Sequence, residues 1–335
     1  MSWFAVVVQL PIKCASFSAT SRFHHRTRIG VAEEREYASS SAARSPLASH
    51  SRYACTMIDP HTHSTASDGT TPPAVLMHEA AAAGVTMLGL TDHDTVAGWD
   101  EAAGEVANTG VALIRGMEVS AAYRGISLHM LAYLFDPASP ELTRHMKKVR
   151  HSRVDRAREI VRRLAADTPI TWELVQSQAS EGATIGRPHI ADALVAVGTI
   201  QNRSEAFDHY LNPRGPYYVP YYAPEAAEAI AWIRAAGGQA VLAHPMAVAR
   251  GRTIPLEAYD ELAETGLFGL EIDHRDNPPE AIPQLEAIAR RLNLARFGSS
   301  DYHGTGKHNR LGENTTSPDI IQALEDSCRL DILRP

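Results

Sequence analysis

Asp59-Pro60-His61-Thr62-His63-Ser64-Thr65-Ala66-Ser67-Asp68-Gly69 is the stretch on which the fold turns. Two histidines stand at i and i+2, an aspartate follows five residues later, and a glycine turns the chain. Met57 and Ile58 lead in as a short apolar run, which places the histidines near the end of a strand. Side chains two apart on a strand project to one side. His61 and His63 can therefore converge on one point, as two ligands of one metal ion must. Imidazole suits zinc, manganese or iron, and a nearby carboxylate suits the harder of these ions. The competing account is two surface histidines beside a turn, and the rest of the chain decides between them.

Outward from this segment, short apolar runs alternate with amphipathic ones. Residues 72–83 read as a helix with proline at its start and Gly84 at its stop. A strand over 86–90 ends in Thr91-Asp92-His93-Asp94, and a helix follows to about residue 107. A strand over 111–116 runs into Met117-Glu118-Val119-Ser120, and one over 127–134 carries His129. The rhythm breaks at Asp136-Pro137. From 137 to 222 only helical patterns appear, punctuated by Gly186-Arg187-Pro188 and Asn212-Pro213-Arg214-Gly215-Pro216. The alternation then resumes. A strand over 239–243 delivers His244-Pro245, another covers 268–272, and a third over 294–299 ends in Ser300-Asp301-Tyr302-His303. Helices are expected up to 236 and over 256–265, 279–293 and 318–326. This is the α/β rhythm of a parallel sheet or barrel. The barrel would comprise 57–136 and 223–335, with 137–222 as an inserted helical subdomain.

Residues 1–55 do not share that rhythm. An apolar start gives way to a Ser-, Arg- and Ala-rich segment whose first acidic residue is Glu33. No positive charge precedes the apolar run, so a secretory signal fits poorly, although the Arg/Ser bias is shared by organellar presequences. A disordered tail, or an upstream extension of the reading frame with Met57 as the start, is the expectation.

Composition narrows the partners. The net charge of −7 gives no bulk attraction to nucleic acid or anionic lipid. No apolar run is long enough for a membrane span. The three cysteines, Cys14, Cys55 and Cys328, are scattered and odd in number, which fits a reducing, cytoplasmic setting. Nothing points to an obligate protein partner. The sixteen histidines are the outlier.

The clustered histidines and carboxylates fall at or near expected strand ends. In a parallel barrel those ends share one face. His61, His63, His93, His129, His244 and His303, with Asp68, Glu118 and Asp301 and no thiolate, describe a site for two or three hard-to-borderline divalent ions. Clustered ions need anionic bridges, and a glutamate at a strand tip can bridge. Such sites suit hydrolysis of a phosphate ester.

The blocks D-x-H-T-H-S…D-G, T-D-H-D, G-x-E-x-S, H-x-x-x-Y, A-H-P and G-S-D-x-H, in order from Asp59 to His303, resemble the polymerase-and-histidinol-phosphatase (PHP) superfamily. They resemble most its nucleotide-acting branch of 3′,5′-nucleoside bisphosphate phosphatases and 5′-to-3′ exonucleases on short RNA. The resemblance implies a distorted (β/α)7 TIM-like barrel with a trinuclear site, manganese foremost, with iron or zinc as alternatives. It implies one ion on His61, His63, Glu118 and Asp301, a second on Glu118, His129 and His244, and a third on Asp68, His93 and His303. It also implies in-line attack on phosphorus by a hydroxide bridging metals held by Glu118, Asp301 and His244. Pro60 stands where the family more often has leucine, a change a strand end tolerates.

Around this set, Asp92 and Asp94 flank His93 and are candidates to orient its ring, with helix capping as the plainer role for Asp94. Arg187 is the candidate phosphate ligand and His189 a weaker one. The insert would cap the barrel mouth. A basic helix over 141–164 could guide an oligonucleotide backbone, and tyrosines 217, 218, 221 and 222 could stack on a base or simply pack where the insert rejoins the barrel. The leading function is metal-dependent phosphoester hydrolysis on a small nucleotide or short RNA. The alternatives are a histidinol-phosphate phosphatase and a non-catalytic metal-binding module.

Overall fold

The computed structural model describes residues 56–180, 182–248 and 251–335; the expected tail over 1–55 lies outside them. The strands are β1 Ile58–Thr62, β2 Met87–Leu90, β3 Ala112–Tyr123, β4 Ile126–Tyr133, β5 Gln239–Leu242, β6 Gly269–Asp273 and β7 Ala295–Gly298. They form one sheet in chain order. β1, β2 and β3 are parallel, as are β5, β6 and β7. The turn that carries Asp301 and Tyr302 then bonds to β1: Asp301 N donates to His61 O at 2.9 Å and His63 N to Tyr302 O at 2.8 Å. That contact nearly closes the sheet into a barrel.

The strand number is as expected, but strict strand–helix alternation is not. β3 continues past Gly116 to Tyr123 and turns directly into β4, with Arg124 and Gly125 both at positive φ. β4 is therefore antiparallel to both neighbours. The physical cause is the missing crossover: two residues suffice for a hairpin, whereas a parallel return needs a dozen or more.

Alternate residues of the strands enter different apolar clusters, as a two-residue period requires. Leu113, Met117, Val119 and Ala121 of β3 belong to a cluster with residues of the surrounding helices. Ile114 of β3 joins Leu131, Tyr133, Val241 and Phe297 in another, with the Tyr133 and Phe297 rings stacked 5.9 Å apart. Glu118 and His129 lie on the same alternation as Ile114 and Leu131, so the polar site continues the face that this apolar layer begins. Gly89 is needed for close approach, because a Cβ there would collide with the carbonyl of Pro60 on β1.

Between sequential strands lie α1 (Pro73–Ala82), the pair α2 (Trp99–Gly104) and α3 (Val106–Thr109), α9 (Leu256–Glu264) and α10 (Ile282–Leu292), and α11 (Pro318–Asp326) follows β7. The expected single helix to residue 107 is thus two short ones. From β4 to β5 the chain makes α4 (Pro140–Leu164), α5 (Trp172–Ser177), α6 (Arg187–Ala196), α7 (Arg203–His209) and α8 (Ala226–Ala235). α4 to α7 carry an apolar cluster of their own that includes Ile160, Leu164, Val175, Ile190 and Leu194. α5 and α7 are capped from their own sequence: Thr171 Oγ1 accepts from Leu174 N and Asn202 Oδ1 from Glu205 N. Among the described residues no helix is long and apolar enough to cross a membrane.

Candidate metal centre

All nine sequence-predicted ligands meet at one end of the barrel. His61 comes from β1 and His63 from just beyond it, Asp68 from the loop that follows, and His93 from beyond β2. Glu118 sits within β3 rather than at its tip. His129 lies in the first half of β4, opposite Ser120. Because β4 runs backwards, its beginning, not its end, reaches this mouth. His244 follows β5, and Asp301 and His303 follow β7. His244 (φ 30°) and Asp301 (φ 54°) hold left-handed backbone conformations that side-chain-bearing residues seldom adopt. Such strain persists where the surroundings fix it, and ligand sites are typical places.

Glu118 is the centre of the arrangement. Its Oε2 is 3.3 Å from His61 Nε2, 2.9 Å from His63 Nε2 and 3.3 Å from His93 Nδ1. Its Oε1 is 2.7 Å from His129 Nδ1 and 3.2 Å from His244 Nε2. His129 Nδ1 is buried and, despite that 2.7 Å, makes no hydrogen bond. The two atoms are close but aimed past each other, as atoms facing a common third partner would be. The same holds for His93 Nδ1.

Tautomers support this reading. Glu271 is held below the usual carboxylate range: burial pushes its pKa up, but His61, His274 and His244 outweigh it. An ionised carboxylate only accepts, so His61 Nδ1 donates to Glu271 Oε1 at 2.7 Å. That leaves Nε2 as the ring atom facing the site, 3.0 Å from His63 Nε2 and 3.4 Å from Asp301 Oδ1. His303 Nδ1 donates to the Asp301 carbonyl at 2.8 Å, which turns its bare Nε2 toward Asp68 Oδ1, 3.3 Å away. Among the described residues, ligand atoms within 4.8 Å of one another define four groups: His61, His63, Glu118 and Asp301; His63, Asp68, His93 and His303; His93, Glu118 and His129; and His274, Asp276 and Asp301. The donor set is nitrogen and carboxylate oxygen without sulfur, which fits divalent ions of the manganese–iron–zinc range.

Protons take sides in the same way. Burial disfavours a charged His61, yet Glu271, Glu118 and Asp301 hold its pKa well above the ordinary value. His63 rises to about 9, burial opposing and hydrogen bonds to Asp301 and Glu118 prevailing. Burial keeps His93 well below the ordinary value, and burial with the Lys307 and His63 charges takes His303 to about 4. Glu118 and Asp68 are lowered by the surrounding imidazoles, beginning with His93, against the effect of burial.

The supporting residues differ from expectation. Asp92 does not orient His93. Its carboxylate accepts from Ser64 N at 2.8 Å, Ser64 Oγ at 2.6 Å and Ser67 Oγ at 2.6 Å, and so shapes the loop to Asp68. Asp94 neither orients His93 nor caps α2, whose first flanking residue is Gly98. It accepts from Ser120 N and Oγ and from Arg153 Nη1, at 2.7 to 2.8 Å. Three residues were missed in the sequence. Glu271 also accepts from His244 N at 2.8 Å and from the Ser299 hydroxyl; an ionisable residue inside the apolar run of β6 was the available signal. His274 Nδ1 accepts from Asp276 N at 3.0 Å, and its buried Nε2 lies 3.5 Å from Asp301 Oδ2 without a hydrogen bond. Lys307 Nζ lies 2.8 Å from the same Asp301 oxygen, and no motif marked it.

Arg187 and His189 open α6, outside the nine-residue cluster. Arg187 Nη1 donates to Leu211 O at 3.1 Å and its guanidinium lies 5.4 Å from the Phe207 ring centre. His189 Nδ1 accepts from Gly186 N, which leaves Nε2–H to donate. Burial, then the Arg187 charge, lowers Arg156 to about 10. Burial lowers Arg187 as well, and Arg153 adds to it. Tyr217 donates to Asp167 at 2.6 Å, Lys148 sits 3.7 Å from the Tyr222 ring centre, and Arg156 sits beside the Tyr218 and Tyr221 rings.

Known proteins resemble this chain in sequence and fold. A model of the PHP domain matches residues 59–185. The 3′,5′-nucleoside bisphosphate phosphatase of Chromobacterium violaceum is 32% identical over 280 residues, 83% of this chain and 98% of that one. The 5′-3′ exoribonuclease of Haemophilus influenzae is 32% identical over 264 residues, 78% of this chain and 96% of its own. A solved structure from Bifidobacterium adolescentis, described as a metal-dependent phosphoesterase, superposes with a TM-score of 0.80 at 41% identity, covering 82% of this chain and 97% of that one. With the family's motifs gathered into one centre and relatives matched over nearly their whole length, the chain belongs to the PHP domain family.

Proposed function

We propose that this chain is a metal-dependent hydrolase of phosphate esters on nucleotides or short oligoribonucleotides. One observation carries the reading: both oxygens of a single buried carboxylate, Glu118, face imidazoles, three on one side and two on the other. A carboxylate so shared is the bridge that adjacent cations require. In a three-ion form, His61, His63, Glu118 and Asp301 would hold one ion, Glu118, His129 and His244 a second, and Asp68, His93 and His303 a third, with manganese as the expected metal. Bound ions would lower the pKa of water and neutralise phosphoryl oxygens.

The chain's own groups do the rest. Glu271 fixes the His61 ring and the His244 backbone, so both imidazoles stay aimed. Lys307 adds a cationic donor beside Asp301 at the mouth. The α4–α7 insert serves as a cap. Arg187, supported by His189, binds the substrate's phosphate. Burial and the Arg187 charge lower Arg156, and burial and the Arg153 charge lower Arg187, which supports that role because crowded guanidiniums are relieved by an anion. Both relatives named above act on nucleotide phosphoesters by name.

The test is direct. Manganese-loaded protein should release phosphate from 3′,5′-bisphosphoadenosine or mononucleotides from a short 5′-phosphorylated RNA, and far less from histidinol phosphate. His61→Ala and Asp301→Ala should abolish turnover. Turnover untouched by either change would refute the assignment.

A further inference from the structure

Arg203, at the start of α7, is placed in no role by the motifs. Its guanidinium forks onto Asp192 of α6, Nε to Oδ1 and Nη2 to Oδ2, both at 2.6 Å. Its remaining arm, Nη1, leaves the insert and donates to the backbone carbonyl of Asp68 at 3.0 Å. The same Nη1 rests on the bare face of Gly306, where any Cβ would collide with it. Asp68 and His303 are two of the three side chains assigned to the third ion, and their loops are stitched together. Thr70 N donates to His303 O at 3.1 Å, Thr305 N to Thr70 Oγ1 at 2.8 Å, and Gly306 N to His303 O at 3.3 Å. Arg203 therefore touches both loops at once, with only 14% of its side chain exposed. A bidentate pair is rigid in direction as well as distance. The third arm then transmits the position of α6 and α7 to the Asp68 backbone.

We propose that Arg203 is a positioning residue that locks the helical insert against the Asp68 and His303 loops, and so sets the affinity of that ligand cluster for its ion. Groups that orient metal ligands change affinity about 10- to 100-fold when removed. The Glu118-centred clusters, whose ligands come from the barrel strands and the turns that follow them, do not share this contact. The inference rests on the reading that Asp68, His93 and His303 hold an ion.

The experiment counts metal, not turnover alone. Full-length protein, Arg203→Met, Arg203→Lys, Asp192→Asn and Asp68→Asn are stripped, titrated with manganese by calorimetry, and analysed for bound metal by mass spectrometry. Asp68→Asn should lose one equivalent. Arg203→Met should keep the tight equivalents and weaken the last by about 10- to 100-fold, with kcat falling alongside. Arg203→Lys should recover part of the loss through a single donor. Asp192→Asn, which keeps the guanidinium but weakens its anchor, should fall between, and serves if Arg203→Met does not fold. If Asp68→Asn loses an ion while Arg203→Met and Asp192→Asn bind like the parent, the positioning role is refuted. Equal weakening of every ion in Arg203→Met, with a lower Tm, would also refute it, as a general loss of structure. If Asp68→Asn itself binds the parental complement, the third-cluster reading has failed first, and the proposal with it.

Discussion

Glu118 and Glu271 are both fully buried, yet they do different work. Glu118 faces five imidazoles with both oxygens, whereas Glu271 faces the back of one ring, a backbone amide and a hydroxyl. The second pattern fixes a tautomer and a direction. Glu271→Ala should therefore weaken metal binding by about 10- to 100-fold, while Glu271→Gln, which still offers an acceptor to His61 Nδ1–H, should cost less; manganese titration of the two variants checks this. The protonation pattern gives a second expectation. In the metal-free protein His61 is held above its ordinary pKa and His63 reaches about 9, so at pH 7 both carry protons that an incoming ion must displace. The sign follows: binding releases protons, and apparent affinity rises with pH up to about 9. Calorimetry at pH 7 in buffers of different ionisation enthalpy should report net release, and proton uptake would contradict the assignment.

At the scale of elements, β1 and β2 approach closely because Gly89 has no side chain. Gly89→Ala should destabilise the fold by about 1 to 3 kcal/mol, the usual cost of overpacking, read as a lower denaturant midpoint at unchanged slope. α4 divides its charges. Arg150, Arg153 and Arg156, three residues apart, reach Asp94 and Val219 at the mouth, while Arg144, Lys147, Lys148 and Arg162 remain exposed. If the exposed set guides RNA, neutralising Lys147 and Lys148 should flatten the salt dependence of oligonucleotide binding by about 0.7 per lost phosphate contact, and leave hydrolysis of a mononucleotide unaltered. Filter binding across a salt series separates the two.

On the scale of the molecule, the candidate ligands come from β1, β3, β4 and the turns after β1, β2, β5 and β7, so ions held by them would tie both edges of an almost closed sheet. Chelation should lower Tm. An ion at 100 times its Kd contributes about 2.7 kcal/mol, or about 5 to 10 °C for a domain of this size, measured by calorimetry with and without chelator.

The sequence by itself determined the strand count, the helical character of the stretch between β4 and β5, and the histidines and carboxylates that gather at one mouth, because a strand carries its signal in period two and most of these polar residues stand at or just beyond its end. It could not show that β4 runs backwards, since periodicity is blind to direction; the hairpin at Arg124 and Gly125 decided that, and with it why His129 reaches the mouth from the start of its strand. Nor could it show what Asp92, Asp94, Glu271 or Arg203 bond to. Their partners lie between 11 and 210 residues away along the chain, and only closure of the barrel with the insert folded against it brings a carboxylate and its donor within 3 Å.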